Sequence, residues 1–438
     1  MSTSNKVKNA QIKATLLATR EKRKLQKCFV FSTKICYNKL NNQQKEQLLM
    51  LFVEAKRFYN DALSYLDINK TLKEYNNKKT TVQIKQKDGT IIEKELNYLT
   101  SSIKDSIITK IKNSLSSLHA KKVKGYKVGK LKYKSSCNSI DLKQFNNTHR
   151  IKDLKRVSIQ GIKGYFRVRG LDQFYTIPDI EIANAKLLKK PDGYYIHWTT
   201  YIFKDKIPCI KKNEELLGID FGCGTSFTFS DGRKLDFKLK EPECINKLQH
   251  NLARKRKFEN NKKHSNQYKI TQKKLNKKYQ KLCNKKNDLA NKLCNSLLPY
   301  KQIVIQDENL VGWKKSGHGK AVQHSILGRV KSKLKNMSNV TILSRFAPTT
   351  KMCFNCGEIH KEITIKDRVF KCDCGVYLDR DIHAAQCMIW MYQNNFMIKE
   401  KDETDSNKPT NKKKVVSSKN KEELKIPTEH RNKMLVED

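Results

Sequence analysis

The sequence is short of acid. Its 438 residues hold 43 Asp and Glu against 91 Lys and Arg, a formal charge of +48. A chain this unbalanced repels itself and is best accommodated beside a polyanion that neutralises it. The basic residues run the whole length instead of forming one local patch. That disfavours a membrane headgroup surface and favours long nucleic acid, where each neutralised phosphate releases condensed counterion. A disulfide framework is missing too. The thirteen cysteines are odd in number and scattered, apart from four at Cys353, Cys356, Cys372 and Cys374, which argues against a small secreted fold. The opening stretch MSTSNKVKNAQIKATLLATREKRK has no apolar core of a signal peptide, and no apolar run approaches the ~20 residues that span a bilayer. An intracellular protein without a membrane partner is expected. Hydrophobic content of 37% and the chain length still allow two or three domains with their own cores.

Along the chain, the polar and basic residues 1–27 read as the start of a flexible arm, followed by the strand-like QKCFVFSTKICY. A helical stretch then puts Leu48, Leu51, Phe52, Ala55, Phe58, Tyr59 and Leu63 on one face. Residues 68–101 read as a polar hairpin or loop around Asp88-Gly89, and a helix is expected over 102–118. From 121 to about 205 the texture is of short strands, GYKVGKLKYKS, RVSIQG, GYFRVRGL, FYTIPDI and GYYIHWTTYIF, suggesting a small antiparallel barrel or sheet. Two long basic helices are expected at about 240–262 and 265–298, the second with a stripe of Tyr268, Leu275, Tyr279, Leu282, Leu289 and Leu293. The tail from 399 lacks periodicity and reads as disordered.

Three carboxylates stand where predicted elements end. Asp220 lies on the apolar strand of LLGIDFG, Glu308 follows the apolar strand of KQIVIQDENL, and Asp381 opens the amphipathic DIHAAQCMIWMY. A carboxylate at a buried strand end is costly unless it has a partner or binds a cation. Magnesium or manganese prefers such oxygen donors, and two ions together can activate water and stabilise the leaving oxygen in phosphodiester cleavage. Singly, each residue has a plainer role: a strand end, a turn cap, a helix N-cap.

The cysteine cluster carries its own signal. CFNCG offers two thiolates, and KCDCG offers two more after fifteen intervening residues. Four thiolates at this spacing close a tetrahedral structural zinc site, which has no open position for catalysis. The second pair has one intervening residue where two are commoner, and His360 is a possible substitute ligand.

Together GIDFG, IQDENL and RFAPTTKMCFNCG…RVFKCDCGVYLDRDIHAA resemble the TnpB (OrfB) family of insertion sequences, related to Fanzor proteins and compact type V CRISPR effectors. The likeness spans roughly 213–395, with EAKRFYNDAL and GYKVGKLKYKS resembling the family's N-terminal half more weakly. The resemblance implies an RNA-guided DNA endonuclease whose partners are a guide RNA and target DNA. It implies an α/β RuvC/RNase H-like nuclease domain with a zinc-knuckle insert, plus an N-terminal small wedge β-barrel with a helical recognition insert. The expected layout is an arm and first part of the wedge barrel at 1–37, the helical recognition module at 38–120, and the rest of the barrel and a linker at 121–212. The RuvC-like domain follows at 213–346, with its basic helical segment at 240–298, and closes at 376–398. Between these parts, 347–375 forms the zinc-binding insert for target nucleic acid, and 399–438 is the tail. By the same resemblance Asp220, Glu308 and Asp381 are catalytic and hold two Mg²⁺ or Mn²⁺ ions. Cys353, Cys356, Cys372 and Cys374 hold one Zn²⁺. Asp307 and Asp379 are left out of this assignment. His383 stands where the family's Asp-x-Asn-Ala-Ala pattern has Asn, and could donate a hydrogen bond to Asp381 or to a phosphate. Two other readings use the same residues differently: a zinc-containing binder without catalysis, and a transposase that joins DNA ends. A pure binder gains nothing from gathering negative charge against phosphates.

Overall fold

A computed structural model describes residues 2–86, 89–207, 211–239, 242–256, 264–364, 366–396 and 398; the tail at 399–438 lies outside the described residues. The chain divides into two compact units, Met1–Pro208 and Cys209–Asp438.

The first unit begins with a helix, α1 (Ser2–Leu25), where the sequence reads as a flexible arm. Ala, Leu, Lys, Arg and Gln dominate this stretch, and neither Gly nor Pro interrupts it, so intrinsic propensity favours a helix although no apolar stripe is present. Its C-terminal end is anchored. The Arg23 guanidinium donates to Glu181 at 2.5 and 2.9 Å and lies 3.6 Å over the Tyr201 ring.

The chain continues through β1 (Gln26–Ile35), α2 (Asn42–Asn69), the hairpin β2 (Thr81–Lys85) and β3 (Ile91–Glu95), and α3 (Ser101–Val123). Asn41 and Gln44 form a capping box at the start of α2, reciprocally satisfying two backbone donors. The predicted apolar face of α2, Leu48 through Leu63, is buried. Glu54 on the same helix is also buried and accepts hydrogen bonds from the amides of Asn97, Tyr98 and Leu99 at 2.9–3.0 Å. Its carboxylate therefore pins the turn that launches α3.

Six strands follow: β4 (Ser139–Leu142), β5 (His149–Asp153), β6 (Arg156–Ile159), β7 (Phe166–Arg169), β8 (Glu181–Lys190) and β9 (Gly193–Phe203). With β1 they make one sheet in the order β4-β8-β9-β1-β7-β6-β5, every recorded pairing antiparallel. Trp198 of β9 is fully buried, and its indole N–H is satisfied by Thr33 Oγ1 at 2.9 Å. Two expected strands are absent. GYKVGKLKYKS has no regular structure; the Asn60 side chain brackets the Lys134 backbone at 2.8 and 3.0 Å, taking up groups that a strand would pair. FYTIPDI begins in the short helix α4 (Asp172–Tyr175), and Pro178 lacks the donor that a ladder needs.

The second unit is built on a mixed sheet. Its strands are β10 (Leu216–Phe221), β11 (Phe227–Phe229), β12 (Lys234–Leu235), β13 (Gln302–Gln306) and β14 (Val340–Leu343), in the order β12-β11-β10-β13-β14. The first three run antiparallel, and β13 and β14 join parallel to β10. This is the RNase H/RuvC-type core that the resemblance implies. The near-continuous apolar runs of β10 and β13 suit a sheet covered on both faces. Helices α5 (Glu243–Arg254) and α6 (Asn266–Ser296) cross from β12 to β13, and α7 (Leu310–Trp313), α8 (Gly319–His324) and α9 (Leu327–Leu334) cross to β14. On α6 the buried side includes Tyr268, Leu275 and Leu293, while Tyr279, Leu282 and Leu289 are half-buried. After β14 come the hairpin β15 (Val369–Lys371) and β16 (Tyr377–Asp379), then α10 (Arg380–Gln393).

Helix α10 rests on β10 at a point with no room for a side chain. A Cβ on Gly218 would lie 1.9 Å from the Ala385 carbonyl oxygen, and Ala384 and Ala385 are fully buried. Gly218→Ala should therefore part strand from helix and cost at least ~1–3 kcal/mol, the usual range for overpacking. The expected result is a lower thermal midpoint; an unchanged one would contradict this close approach.

Candidate active site and cysteine cluster

The three carboxylates come from three elements of the second unit. Asp220 is the fifth residue of β10, opposite Thr228 of β11. Glu308 lies two residues beyond β13, and Asp381 is the second residue of α10. The fold brings Glu308 and Asp381 within electrostatic reach of Asp220. Burial pushes the Asp220 carboxyl well above its ordinary range, and the neighbouring charges of Asp381 and Glu308 push it further, against a weaker opposing pull from Arg380. Glu308 is raised as well, first by burial, with Lys331 and Arg345 opposing. Negative charge concentrated in so little water is the condition that a bound cation relieves. The donor set, carboxylate oxygens only, suits a hard divalent ion. Among the described residues, the groups whose ligand atoms all lie within 4.8 Å of one another are Cys353–Cys356–Cys372–Cys374 and Glu358–His360–Cys372. The carboxylates thus do not close into a single-ion cage. A two-ion site spreads its oxygens more widely, because the ions themselves stand ~3.5–4 Å apart.

The neighbouring acids are occupied elsewhere. Asp307 is buried among Lys331 at 2.9 Å, Lys335 at 3.1 Å and Arg345 at 3.4 Å. Lys331 also donates to the Glu308 backbone carbonyl. Asp379 N-caps α10, accepting from the amides of Asp381 and Ile382 at 3.1 and 3.3 Å, and pairs with Lys234 at 2.7 Å. Burial alone would raise the Asp379 carboxyl, but Lys234 and those amides outweigh it and hold it below the ordinary range. The three cations around Asp307 went unnoticed in the sequence. Lys331 and Lys335 share a helix face at i and i+4, but nothing marked their target.

His383 does not face the carboxylates as a donor. It is fully buried, neither ring nitrogen has a hydrogen-bond partner, and its ring stacks on Phe370 at 3.5 Å between centroids. Burial, with a smaller push from His360, lowers its pKa to about 4, so it is a neutral packing residue. Phe370 of β15 is held between His383 and the edge-on ring of His360 at 5.3 Å, and this joins the cysteine-bearing hairpin to α10.

The four cysteines do converge. Cys353 and Cys374 sulfurs are 3.6 Å apart, and those of Cys356 and Cys372 are 3.5 Å apart, all four as free thiols. Zinc bonds of ~2.3 Å to four sulfurs would give tetrahedral edges of roughly 3.8 Å, so the cluster has the dimensions of a closed site. Each pair sits on a tight turn, with Gly357 accepting φ 76° and Gly375 φ 93°, a left-handed backbone that glycine adopts freely. The Asn355 amide donates to Cys374 at 3.5 Å, and that contact leads the causes that lower this thiol to about 6.

Two family models match the second unit in the order in which these features occur. The OrfB_IS605 model, described as a probable transposase, matches residues 203–314. The Cas12f1-like TNB domain model matches residues 326–388. Over these two segments the chain is similar to OrfB_IS605 and Cas12f1-like proteins. Among similar proteins is one from Streptomyces pristinaespiralis, provisionally named an RNA-guided DNA endonuclease, 24% identical over 199 residues. The match covers 43% of this chain and 48% of that protein, so the chain spans about half the length of the curated relative it matches. A chain in the cryo-EM structure of a Cas12f1–sgRNA–target DNA complex aligns with this chain at a TM-score of 0.45 and 14% identity, over 79% of this chain and 82% of that one. No helix among the described residues is long and apolar enough to cross a membrane.

The crowding at Asp220 has a consequence for stability. A carboxyl whose folded pKa lies above its unfolded value of ~3.9 makes the fold progressively less stable as pH rises from that value through the folded pKa. In chelated protein, Asp220→Asn should therefore stabilise the fold at pH 7–8, read as a higher thermal midpoint than wild type. The gain should shrink toward pH 4. A lower midpoint for the variant across that range would show that Asp220 is not under electrostatic strain.

Proposed function

We propose that this chain is a divalent-metal-dependent, RNA-guided DNA endonuclease. The observation that carries the reading is the contrast among five acids. Asp307 and Asp379 are neutralised by cations, whereas the buried Asp220 has no ion-pair partner among the described residues and feels the charges of Asp381 and Glu308, which the Arg380–Asp381 pair at 3.2 Å offsets only in part. Those three are the residues that would hold two Mg²⁺ or Mn²⁺ ions, which when bound supply an activated water and charge stabilisation for phosphodiester hydrolysis. The chain's own part is positional. β10 and α10, locked at Gly218, fix Asp220 and Asp381, and Lys331 fixes the backbone at Glu308. Cys353, Cys356, Cys372 and Cys374 would hold one structural Zn²⁺ and so stiffen the hairpin that Phe370 and His383 bind to α10.

The name of the Streptomyces relative supports a guide RNA, and so does the character of the basic surface. Lys outnumbers Arg on α6, and Lys acts as a point charge better than as a bidentate reader of base edges. Recognition is then delegated to base pairing, with the protein following heteroduplex shape. In this reading the seven-stranded sheet of the first unit is the wedge, α2 and α3 form the recognition module, α5 and α6 follow the heteroduplex, and 347–375 is the target-nucleic-acid insert. The OrfB_IS605 model's description favours a second reading, a transposase that joins DNA ends with the same carboxylates.

Protein purified with its bound RNA should cut matched DNA in Mg²⁺. Asp220→Ala, Glu308→Ala and Asp381→Ala should each reduce cutting by a factor of at least ~10³, while binding stays within a few-fold because no phosphate contact is lost. Cutting by Glu308→Ala at the wild-type rate would show the site to be wrongly assigned. Discrete cutting or joining at one sequence without RNA would favour the transposase.

A further inference from the structure

The most exposed large apolar side chain of the described residues stands beside the carboxylate site. Phe346 keeps 80% of its surface in water, at the tip of the turn that leaves β14. Little about this turn is loose. Leu343, Ala347 and Thr349 are buried around it. The buried Gln306 side chain donates to the carbonyls of Ala347, Ser344 and Arg345 at 2.8, 3.2 and 3.4 Å and accepts from the Thr349 hydroxyl at 3.1 Å. Gln306 ends β13, two residues before Glu308, so one short segment carries the acid and holds the turn that displays the ring.

A rigid turn has no packing reason to hold an aromatic ring in solvent, since burying a phenylalanine normally stabilises a fold by about 1.5–3 kcal/mol. The surroundings indicate what would cover it. Arg345, next in sequence, reaches Asp307 and acts electrostatically on Glu308. Together with Lys331 and Lys335 it sets three cations against the two adjacent carboxylates of Asp307 and Glu308, one positive charge in excess at the base of the turn. A flat apolar face, cations for phosphate, and a carboxylate site for cleavage converge on a single ligand chemistry, a nucleic-acid strand with unstacked bases.

We propose that Phe346 is a stacking platform for one nucleobase of the DNA strand whose phosphate enters the carboxylate site. The inference rests on the nuclease reading above. The platform orients the strand through the base, and so acts on any base that presents a π face, without sequence preference. Its partner is the base, not the phosphate. Removing either ring should therefore have the same effect, and removing both should add nothing.

The test uses the full chain with its copurified RNA, in EDTA, and two short single-stranded DNA probes of equal length, one of deoxyadenosines and one of abasic sites. Phe346→Ala should weaken the deoxyadenosine probe by about 5- to 100-fold, the range of one lost base–aromatic stack, and leave the abasic probe unchanged. Phe346→Tyr should restore the deoxyadenosine affinity. In Mg²⁺ with matched DNA, Phe346→Ala should raise KM with kcat falling less. Equal affinity of wild type and Phe346→Ala for deoxyadenosines, or equal weakening of both probes, would overturn the platform. Wild-type protein that never cuts in Mg²⁺ but shows the base-dependent loss would overturn the nuclease reading and leave the platform standing.

Discussion

Like-charge repulsion in a site with little water is the strain that the framework of the second unit has to hold. Asp220, Glu308 and Asp381 are brought together by a strand, a strand end and a helix start, and each of those elements has an independent reason to be where it is. β10 lies parallel to β13 because both carry near-continuous apolar runs that suit a sheet covered on both faces. Helix α10 approaches β10 as closely as it does because Gly218 and Ala385 leave no side chain between them. The carboxylates ride on this framework and push Asp220 far from its ordinary ionisation. Such an arrangement gains nothing for stability; it makes chemical sense when a divalent ion completes it.

Around this site most of the cations lie against Asp307 and Asp379. Lys331, Lys335 and Arg345 neutralise Asp307, and Lys234 with the α10 amides neutralises Asp379. The result is graded: Asp307 and Asp379 are tied into ion pairs and caps, Glu308 and Asp381 are compensated in part by Lys331, Arg345 and Arg380, and Asp220 least of all. Lys331 and Arg345 act on Glu308 as well as on Asp307. The His360–Phe370–His383 stack does for the cysteine hairpin what Gly218 does for β10, fixing it to α10 by shape and not by charge.

Much of the fold was legible where side-chain periodicity and burial agree. The α2 face from Leu48 to Leu63 and the strand Gly193–Phe203 follow directly from spacing, because each buries one side continuously. The reading failed where local groups compete with periodicity. Residues 126–138 alternate like a strand, yet Asn60 takes the backbone pairing at Lys134. FYTIPDI fails at Pro178, and α1 forms through propensity and the Arg23–Glu181 anchor without any apolar stripe. At the candidate site, residue types and order were visible and the resemblance chose between adjacent acids, but the ion pairs that distinguish them were not. Those pairs depend on cations far away in sequence: Lys331 and Arg345 decide between Asp307 and Glu308, and Lys234 helps decide between Asp379 and Asp381. His383 could not be placed either, since its role comes from Phe370 across the hairpin.

The central claim is that Asp220, Glu308 and Asp381, and not their acidic neighbours, hold divalent metal. Anomalous diffraction at the manganese edge, from crystals of the RNA-bound protein soaked in Mn²⁺, tests it most directly. The account predicts two peaks separated by ~3.5–4 Å and bounded by those three side chains. Peaks at Asp307 or Asp379, or no peak at saturating Mn²⁺, would contradict it.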